Sequence, residues 1–259
     1  MGNDDYEDIL NDSLEFLGGK PVVDGGKIHY GPLELTTAPK DGKANTLMAD
    51  HLFSPSIFLS ERIERGLLSA RHKSVLELGA GAALPSLLLS TLQDAPSLVV
   101  VTDYPDEGIM GNIQQNILRN KEAMNPTCKV LYQGYNWGQD SQPLLELNSF
   151  TGYDVLILSD LVHFDSCHEV LVSSITALLR PSPDARVHVS AGFYTKPEAC
   201  TNFIAIATAA GLKLEEIHTD PTEGWKGTME VTTLNRDELA ARKAACRYWV
   251  GAWSPPQLQ

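Results

Sequence analysis

Apolar residues along the chain form short continuous runs that alternate with stretches of helical spacing. The clearest runs, typical of parallel strands covered on both faces, occupy residues 74–79, 98–102, 153–158 and 186–191. A weaker run at 129–133 is a fifth strand candidate. Apolar spacing of three to four residues predicts helices at 85–92, 107–121, 166–179 and 197–210. This alternation predicts an α/β protein with a doubly wound, Rossmann-like parallel sheet.

The pattern changes on either side of this alternation. Before it, apolar spacing predicts one helix from Thr46 to Gly66. After it, strand-like residues 212–219 and 227–234 follow each other with no helix between them, which predicts an antiparallel hairpin at one sheet edge. A last helix is predicted over 236–250. Five parallel strands closed by a terminal antiparallel hairpin are the plan of class I, seven-stranded methyltransferases.

Residues 1–45 have no strong periodicity and are predicted to form an N-terminal extension to one domain at 46–259. The extension begins with acidic residues and then becomes rich in turn-forming ones, with a small hairpin predicted around Asp24-Gly25-Gly26. The first ten residues lack the apolar core of a signal peptide. No apolar run is long enough to span a membrane.

Composition narrows the class of partner. Apolar residues make up 43% of the chain and charged residues 20%, as in soluble globular proteins, and the net charge is −13. That charge disfavours binding to nucleic acid or an anionic membrane, and it suits a basic partner such as a lysine-rich protein segment. Four scattered cysteines are typical of reduced thiols, which predicts a cytoplasmic protein, with the nucleus as a second location. We expect a monomer.

The first strand ends in a glycine turn that could hold a nucleotide-like ligand. Gly79, Ala80 and Gly81 precede a helix near Pro85, whose N-terminus suits an anionic group. The third glycine of a dinucleotide fingerprint is absent. Glu77, two residues before the turn, would repel a pyrophosphate and could anchor a cationic amino group. These features favour S-adenosylmethionine over NAD(P), and an oxidoreductase remains the alternative.

The second strand ends at Asp103, followed by Tyr104. An acid at this strand tip is placed to bind both hydroxyls of a ribose, in NAD enzymes as well as in methyltransferases. Asn112 and Asn116 lie on one face of the next predicted helix, and we expect that face to be solvated.

Six segments between about 45 and 250 resemble methyltransferase family 16, the lysine-methyltransferase-like enzymes with seven strands. The resemblance is closest to a fungal branch named for nicotinamide N-methylation, which includes enzymes acting on translation elongation factor 1-alpha. The segments are HLFSPSIFLSERIE, VLELGAGAALPSLLL, VVVTDYPD, YNWG, YDVLILSDLVHFDSCHEVLVSSI and RKAACRYWVGAW. The resemblance implies S-adenosylmethionine as cofactor.

The family pattern implies roles for matching positions. Asp103 would hold the ribose, Trp137 would lie against the adenine, and Ser159 would touch the cofactor at the tip of the fourth strand. Phe53 replaces the usual tryptophan beside the methionine end of the cofactor, and Ala83 replaces a usual glycine.

The acceptor side departs from the family. Many relatives have Asp-x-x-Tyr or Asp-x-x-Phe after the fourth strand, where this chain has Asp160-Leu-Val-His163 followed by Phe164. Asp160 is predicted to orient an acceptor amine and His163 to relay its proton. Phe164, Tyr194 and Trp225 are candidates for an aromatic acceptor wall.

Two alternatives to an enzyme acting on a protein amine remain open. One is methylation of a small amine such as nicotinamide, and the other is a cofactor-binding interaction module with weak catalysis. The histidines at 163 and 168 are five residues apart and have no further ligand pair, so no metal site is predicted. The preferred hypothesis is an S-adenosylmethionine-dependent N-methyltransferase acting on a lysine or N-terminal amine, with elongation factor 1-alpha as substrate.

Overall fold

A seven-stranded sheet with helices on both faces organises the protein. The computed structural model describes residues 27–40, 42–232 and 234–254. Its strands are β1 Ile28–Tyr30, β2 Leu33–Leu35, β3 Ser74–Leu78, β4 Leu98–Asp103, β5 Lys129–Gly134, β6 Val155–Ser159, β7 Arg186–Gly192, β8 Leu212–Glu216 and β9 Cys246–Trp253. Its helices are α1 Gly42–Thr46, α2 Ser54–Glu64, α3 Leu84–Thr91, α4 Glu107–Arg119, α5 Gln142–Glu146, α6 His168–Leu178, α7 Pro197–Ala209 and α8 Arg236–Ala244.

The large sheet has the strand order β5-β4-β3-β6-β7-β9-β8. The first five strands in this order are parallel, and β9 runs antiparallel to both β7 and β8. The predicted α/β class, the Rossmann-like seven-stranded sheet and its terminal antiparallel pair are therefore confirmed. All carboxyl ends of the parallel strands meet at one edge, where ligands bind in such sheets.

Alternate residues of the central strands build two separate cores. Val75 of β3 and Val155 of β6 face one side with helices α2, α3 and α4, whereas Leu76 and Leu156 face the other side with α6 and α7. Every residue of β3, β4 and β6 is buried. Burial on both faces explains why these strands appear in the sequence as continuous apolar runs.

The helix predicted over 46–66 is shorter than expected. Phe53 is extended, with φ −86° and ψ 154°, and α2 starts at Ser54 with Pro55 in its first turn. A proline is accepted there because its missing N–H would have no partner inside the helix. Residues 47–53 are therefore not helical and lie beside the cavity described below.

The partner of β8 in the terminal pair was assigned to the wrong residues. The strand predicted at 227–234 makes one isolated bridge in the described residues, between Val231 and Tyr30. Its backbone is held instead by the Glu64 carboxylate, which accepts hydrogen bonds from the N–H groups of Thr228 and Met229. The helix predicted over 236–250 ends at residue 244, and β9 follows it.

A small hairpin precedes the large sheet. β1 and β2 pair across the turn at Gly31, and the turn predicted at Asp24-Gly25-Gly26 lies outside the described residues. Asn120 bonds both the N–H and the carbonyl of Glu34 with its side-chain amide, at 2.8 and 2.7 Å. The strand side chains at 28, 30, 33 and 35 are fully buried.

The face of α4 that carries Asn112 and Asn116 is not solvated, contrary to expectation. Both side-chain amides donate to the Thr36 carbonyl at 2.8 Å, and Asn116 is fully buried. These contacts tie the segment after β2 to α4.

Within the described residues, no helix combines the length and the apolar character needed to cross a bilayer.

Candidate active site

A cavity of about 270 Å³ opens at the carboxyl ends of β3, β4 and β6. The chain order reverses at β3, which lies between β4 and β6, and such switch points are where ligands bind in parallel sheets. Most of the predicted site residues line it: Phe53, Gly79, Ala80, Gly81, Asp103, Tyr104, Trp137, Ser159, Asp160, His163 and Phe164. The sheet therefore gathers residues from five separate segments of the chain.

The glycine turn after β3 requires glycine at its first position. Gly79 has φ +57° and Gly81 has φ +54°, values that glycine adopts without steric cost. A Cβ atom on Gly79 would lie 2.6 Å from Cδ2 of Leu161 and 3.3 Å from the ring of Trp137. A Cβ on Gly81 would meet no atom within 4 Å, so that position is constrained by its backbone alone.

Glu77 does not line the cavity, contrary to its predicted role as an anchor for a ligand's amino group. Helix α3 starts after Ala83, which offers no side-chain cap, and Oε2 of Glu77 accepts a hydrogen bond from Ser86 N at 3.2 Å instead. Oε1 has no hydrogen-bond partner among the described residues. Burial raises the pKa of Glu77 to about 8. The side chain is directed to the helix start, where it compensates for the missing cap.

Asp103 is fixed in place by backbone groups. Its two carboxylate oxygens accept hydrogen bonds from Gly81 N and Tyr104 N, each at 2.7 Å. Burial raises its pKa to about 6, and these two N–H groups oppose the rise. The carboxylate thus lies at the strand tip, against the glycine turn, in position to bind paired hydroxyls.

Aromatic rings stand on the wall beyond the glycine turn. Trp137 is half-buried and meets Phe164 edge-on, with ring centroids 5.8 Å apart. The Trp137 ring lies next to Gly79, where an added Cβ would be 3.3 Å from it. A flat apolar face at this position suits stacking against a planar ring. Ser159, at the tip of β6, shares a 2.8 Å hydrogen bond with Ser56 of α2.

Asp160 is the buried carboxylate at the other end of the cavity. Its backbone adopts φ +65°, an uncommon conformation for a residue other than glycine. The side chain accepts hydrogen bonds from the Tyr194 hydroxyl and from Gly192 N. Burial raises the pKa of Asp160. This rise is opposed by the charge of His163 and by the hydrogen bonds from Tyr194 and Gly192. A raised pKa makes the ionised carboxylate a stronger acceptor for a substrate proton.

His163 lines the cavity three residues after Asp160. Neither ring nitrogen has a hydrogen-bond partner among the described residues, and the ring contacts Phe164 at 3.9 Å between centroids. Burial lowers the pKa of His163, and Asp160 partly opposes this. A neutral imidazole is therefore favoured here.

Two of the three predicted wall residues are placed differently from the prediction. Tyr194 lies behind Asp160 as its hydrogen-bond donor and contacts Phe53, with ring centroids 6.5 Å apart. Burial is the main cause that raises the pKa of Tyr194 well above its ordinary value, and the charge of Asp160 is the second. Trp225 is 5% exposed in the core with α2 and does not line the cavity, so its predicted acceptor role is wrong.

Several cavity residues were not singled out in the sequence, although three of them, His51, Leu52 and Cys167, lie in segments that resemble the family. The segment before α2 contributes Leu47, Met48, Ala49, His51 and Leu52. Cys167 follows the 163–164 pair in a short 3-10 turn. Tyr135 and Asn136 also line the cavity, and they could have been found, since they begin the motif that contains Trp137.

The second histidine of the pair considered as a metal site is turned away from the first. His168 bonds the Val162 carbonyl at 2.7 Å and Asn202 at 3.0 Å through its two ring nitrogens. Over the described ranges, no group of three or more His, Cys, Asp or Glu side chains is arranged to hold a metal ion.

Comparison with known proteins adds the family. The model of the family described as lysine methyltransferase matches residues 42–209. A relative from Schizosaccharomyces pombe, named protein N-terminal and lysine N-methyltransferase efm7, is 32% identical over 182 residues, 67% of this chain and 68% of the relative. A relative of the same name from Eremothecium gossypii is 30% identical over 240 residues, 84% of this chain and 88% of the relative.

A solved structure agrees with the fold. SMU.776 complexed with SAH has a TM-score of 0.51 at 11% sequence identity, covering 90% of this chain and 57% of that chain. The family match covers the glycine turn, Asp103 and Asp160 alike. The chain belongs to the lysine methyltransferase family and is a methyltransferase.

Proposed function

We propose that the protein is an S-adenosylmethionine-dependent N-methyltransferase that methylates the N-terminal amine and a lysine of a protein. The observation that carries this proposal is one cavity that joins the Asp103 carboxylate and glycine turn at one end to the Asp160 carboxylate at the other. One end suits an adenosyl ligand, and the other suits a basic nitrogen.

The residues present fit S-adenosylmethionine. Asp103 offers a carboxylate to a ribose, Trp137 offers an apolar face to an adenine, and Gly81 leaves open space where a side chain would reach toward the ligand. Phe53 and Ser159 would line the end nearer Asp160. When bound, S-adenosylmethionine supplies a methyl group on a positively charged sulfur.

The chain's own residues would prepare the acceptor. An amine must be neutral to react, and a protein α-amine or lysine is mainly protonated near neutral pH, with ordinary pKa values of about 8 and about 10.4. Asp160 would accept a hydrogen bond from the amine and orient its nitrogen, with Tyr194 and Gly192 fixing the carboxylate. Phe164 and the neutral His163 would exclude water around it.

The choice of a protein substrate is supported by charge and by the relatives. A net charge of −13 favours encounter with a basic protein segment. The relatives from Schizosaccharomyces pombe and Eremothecium gossypii are named for protein N-termini and lysine together. We propose a basic segment of elongation factor 1-alpha as the substrate, and we propose that this protein acts on it as a monomer in the cytoplasm.

The proposal is tested with labelled cofactor and three acceptors. The purified chain is incubated with methyl-labelled S-adenosylmethionine and an N-terminal peptide of elongation factor 1-alpha, the same peptide acetylated at its N-terminus, or nicotinamide. Mass spectrometry is expected to find label on the α-amine of the free peptide, and on lysine alone in the acetylated peptide. Size-exclusion chromatography with light scattering tests the monomer.

The other outcomes identify the alternatives. Label on nicotinamide alone would identify a small-molecule methyltransferase. Binding of S-adenosylhomocysteine in calorimetry without any transfer would identify a binding module. Binding of NADH in place of S-adenosylhomocysteine would contradict the choice of cofactor.

A further inference from the structure

A histidine–aspartate pair to which the sequence analysis gave no role reaches the cavity from the segment before α2. His51 lines the cavity, and its Nδ1 lies 2.8 Å from Oδ1 of Asp50. The Asp50 side chain is 1% exposed, whereas that of His51 is 33% exposed. The pair therefore has a buried acid at its back and an imidazole open to the cavity and to solvent.

The hydrogen bond determines which nitrogen of His51 is available. A carboxylate in its ionised form only accepts hydrogen bonds, so beside it Nδ1 would carry the hydrogen and Nε2 would keep a lone pair. The other oxygen of Asp50, Oδ2, is buried and has no hydrogen-bond partner among the described residues. A buried carboxylate with one free oxygen is stabilised when its histidine becomes positively charged.

Ring contacts connect this pair to the acceptor end of the cavity. The ring of His51 lies 5.7 Å from that of Phe53, and Phe53 lies 6.5 Å from Tyr194. The Tyr194 hydroxyl donates to Asp160. His51 thus shares one continuous wall with the carboxylate assigned to the acceptor amine.

We propose that His51 is the catalytic proton acceptor for the substrate ammonium and that Asp50 is the positioning residue behind it. This inference rests on the proposed function. The lone pair of Nε2 takes a proton from the ammonium, whose N–H electron pair stays on the nitrogen and leaves it neutral. The resulting imidazolium is paired with Asp50, and its exposed edge passes the proton to water.

The surroundings favour His51 over His163 for this step. His163 has no carboxylate bonded to its ring, and neither of its nitrogens has a partner among the described residues. Asp160, its nearest acid, is already bonded by Tyr194 and Gly192. His51 alone of these two combines an oriented tautomer with contact to solvent.

The first test needs no catalysis. Long-range ¹H–¹⁵N NMR of the histidine rings, assigned with His51→Gln, is expected to show His51 protonated at Nδ1 and bare at Nε2 in the unaltered protein. Asp50→Asn is expected to shift that signal towards a mixture of tautomers. A wild-type spectrum with the hydrogen on Nε2 would overturn the proposal.

The second test measures turnover and binding together. His51→Ala is expected to lower turnover on the free N-terminal peptide about 100-fold, with S-adenosylhomocysteine affinity within about threefold. Added imidazole is expected to raise the turnover of the His51→Ala variant at least tenfold, because the shortened side chain leaves room beside Asp50. His29→Ala, which removes an exposed histidine on β1, is the matched control and should change turnover less than twofold.

The outcomes separate this proposal from the proposed function. If the unaltered chain does not methylate the peptide, both are overturned. If it does and His51→Ala keeps its turnover within threefold, only the role of His51 is overturned. A loss that imidazole does not restore, in a variant that still binds S-adenosylhomocysteine, would assign His51 to packing and would also overturn it.

Discussion

At the glycine-turn end of the cavity Asp103 is held by two backbone N–H groups, whereas at the acceptor end Asp160 is held by a tyrosine hydroxyl and one N–H. The first arrangement comes from residues next to one another at two strand ends. The second depends on Tyr194, which lies 34 positions away in the chain.

This difference indicates which half of the cavity can vary. Backbone donors remain whatever side chains surround them, so the end proposed to bind the adenosyl group should be insensitive to most substitutions. Side-chain donors can be exchanged, so the acceptor end can change its substrate while the fold and the cofactor stay the same. Substitutions on each side should therefore separate turnover from cofactor affinity.

The largest effect is expected from Asp160→Asn. Loss of the charge that orients the amine should lower turnover on the free N-terminal peptide by about 100-fold or more, while S-adenosylhomocysteine affinity in calorimetry stays within about threefold. Asp165→Asn, at an exposed carboxylate in the following turn, is the control and should retain its rate. A loss of S-adenosylhomocysteine binding in Asp160→Asn would contradict the expected separation of turnover from cofactor affinity.

Asp103→Ala should show the opposite pattern. Removing the carboxylate that would hold the ribose is expected to weaken S-adenosylhomocysteine binding by about 100-fold, or about 2.7 kcal/mol. Asp106→Ala is the matched control, because Asp106 caps α4 through Gly108 N and lies outside the cavity lining. It should lose roughly 1 kcal/mol of stability and keep the affinity.

Gly79→Ala tests whether the glycine turn tolerates a side chain. The φ of +57° and the 2.6 Å approach of its Cβ to Leu161 should destabilise the protein by roughly 1–3 kcal/mol and weaken S-adenosylhomocysteine binding. Gly111→Ala in α4, where a Cβ meets nothing within 4 Å, should instead stabilise by about 0.5–1 kcal/mol. Chemical denaturation measures both, and equal unfolding midpoints would contradict the prediction.

A stability effect that grows with pH is expected from Glu77→Gln. Burial raises the pKa of Glu77 to about 8 in the folded protein, against an ordinary 4.5. Between these values the folded carboxyl holds a proton that the unfolded chain has released, so its contribution to the free energy of unfolding falls as pH rises. The glutamine variant should therefore gain stability relative to the unaltered protein between pH 5 and pH 8, on the order of 1 kcal/mol per pH unit. Urea denaturation across this range measures the gain, and a constant difference would contradict it.

The sequence located the glycine turn and Asp103 beside the cavity, because local rules determine where strands end, but it misplaced Glu77. Gly79, Gly81 and Asp103 follow directly from where strands end, since parallel strands bring their carboxyl ends together. Asp160 was named from the family's Asp-x-x-Tyr pattern after the fourth strand. Tyr194 was also named, although its role as a donor to Asp160 depends on how the chain turns after β7, which no local pattern encodes.

His51 begins a segment that resembles the family but was not singled out, because the residues after it repeat with helical spacing and suggested that the helix began earlier. Only the extended conformation of Phe53 moves the helix start to Ser54 and leaves His51 free to reach the cavity. Pro55 was the signal that could have placed the start, because a proline well inside a helix begun at Thr46 would remove a hydrogen bond and clash with the preceding turn, whereas it is accepted in a first turn that begins at Ser54.

The last strand was assigned to a helix for a different reason. Tyr248 of β9 packs in one core and Trp249 in the other, so the strand lacks the polar alternation of one with a solvated face. Trp225 was misplaced for another reason. An aromatic residue in a polar loop segment suits a pocket and a core equally well.

The position of β9 has a consequence for how the protein is made. Among the described strands β8 pairs with β9 alone, and β9 comes after it in the chain. During synthesis on the ribosome, β7 and β8 therefore emerge with unpaired edges that can bind other chains until β9 follows. The sheet depends on β9, which comes last in the chain among the described strands, and a chain that stopped before residue 246 would expose the edge of β7 to aggregation.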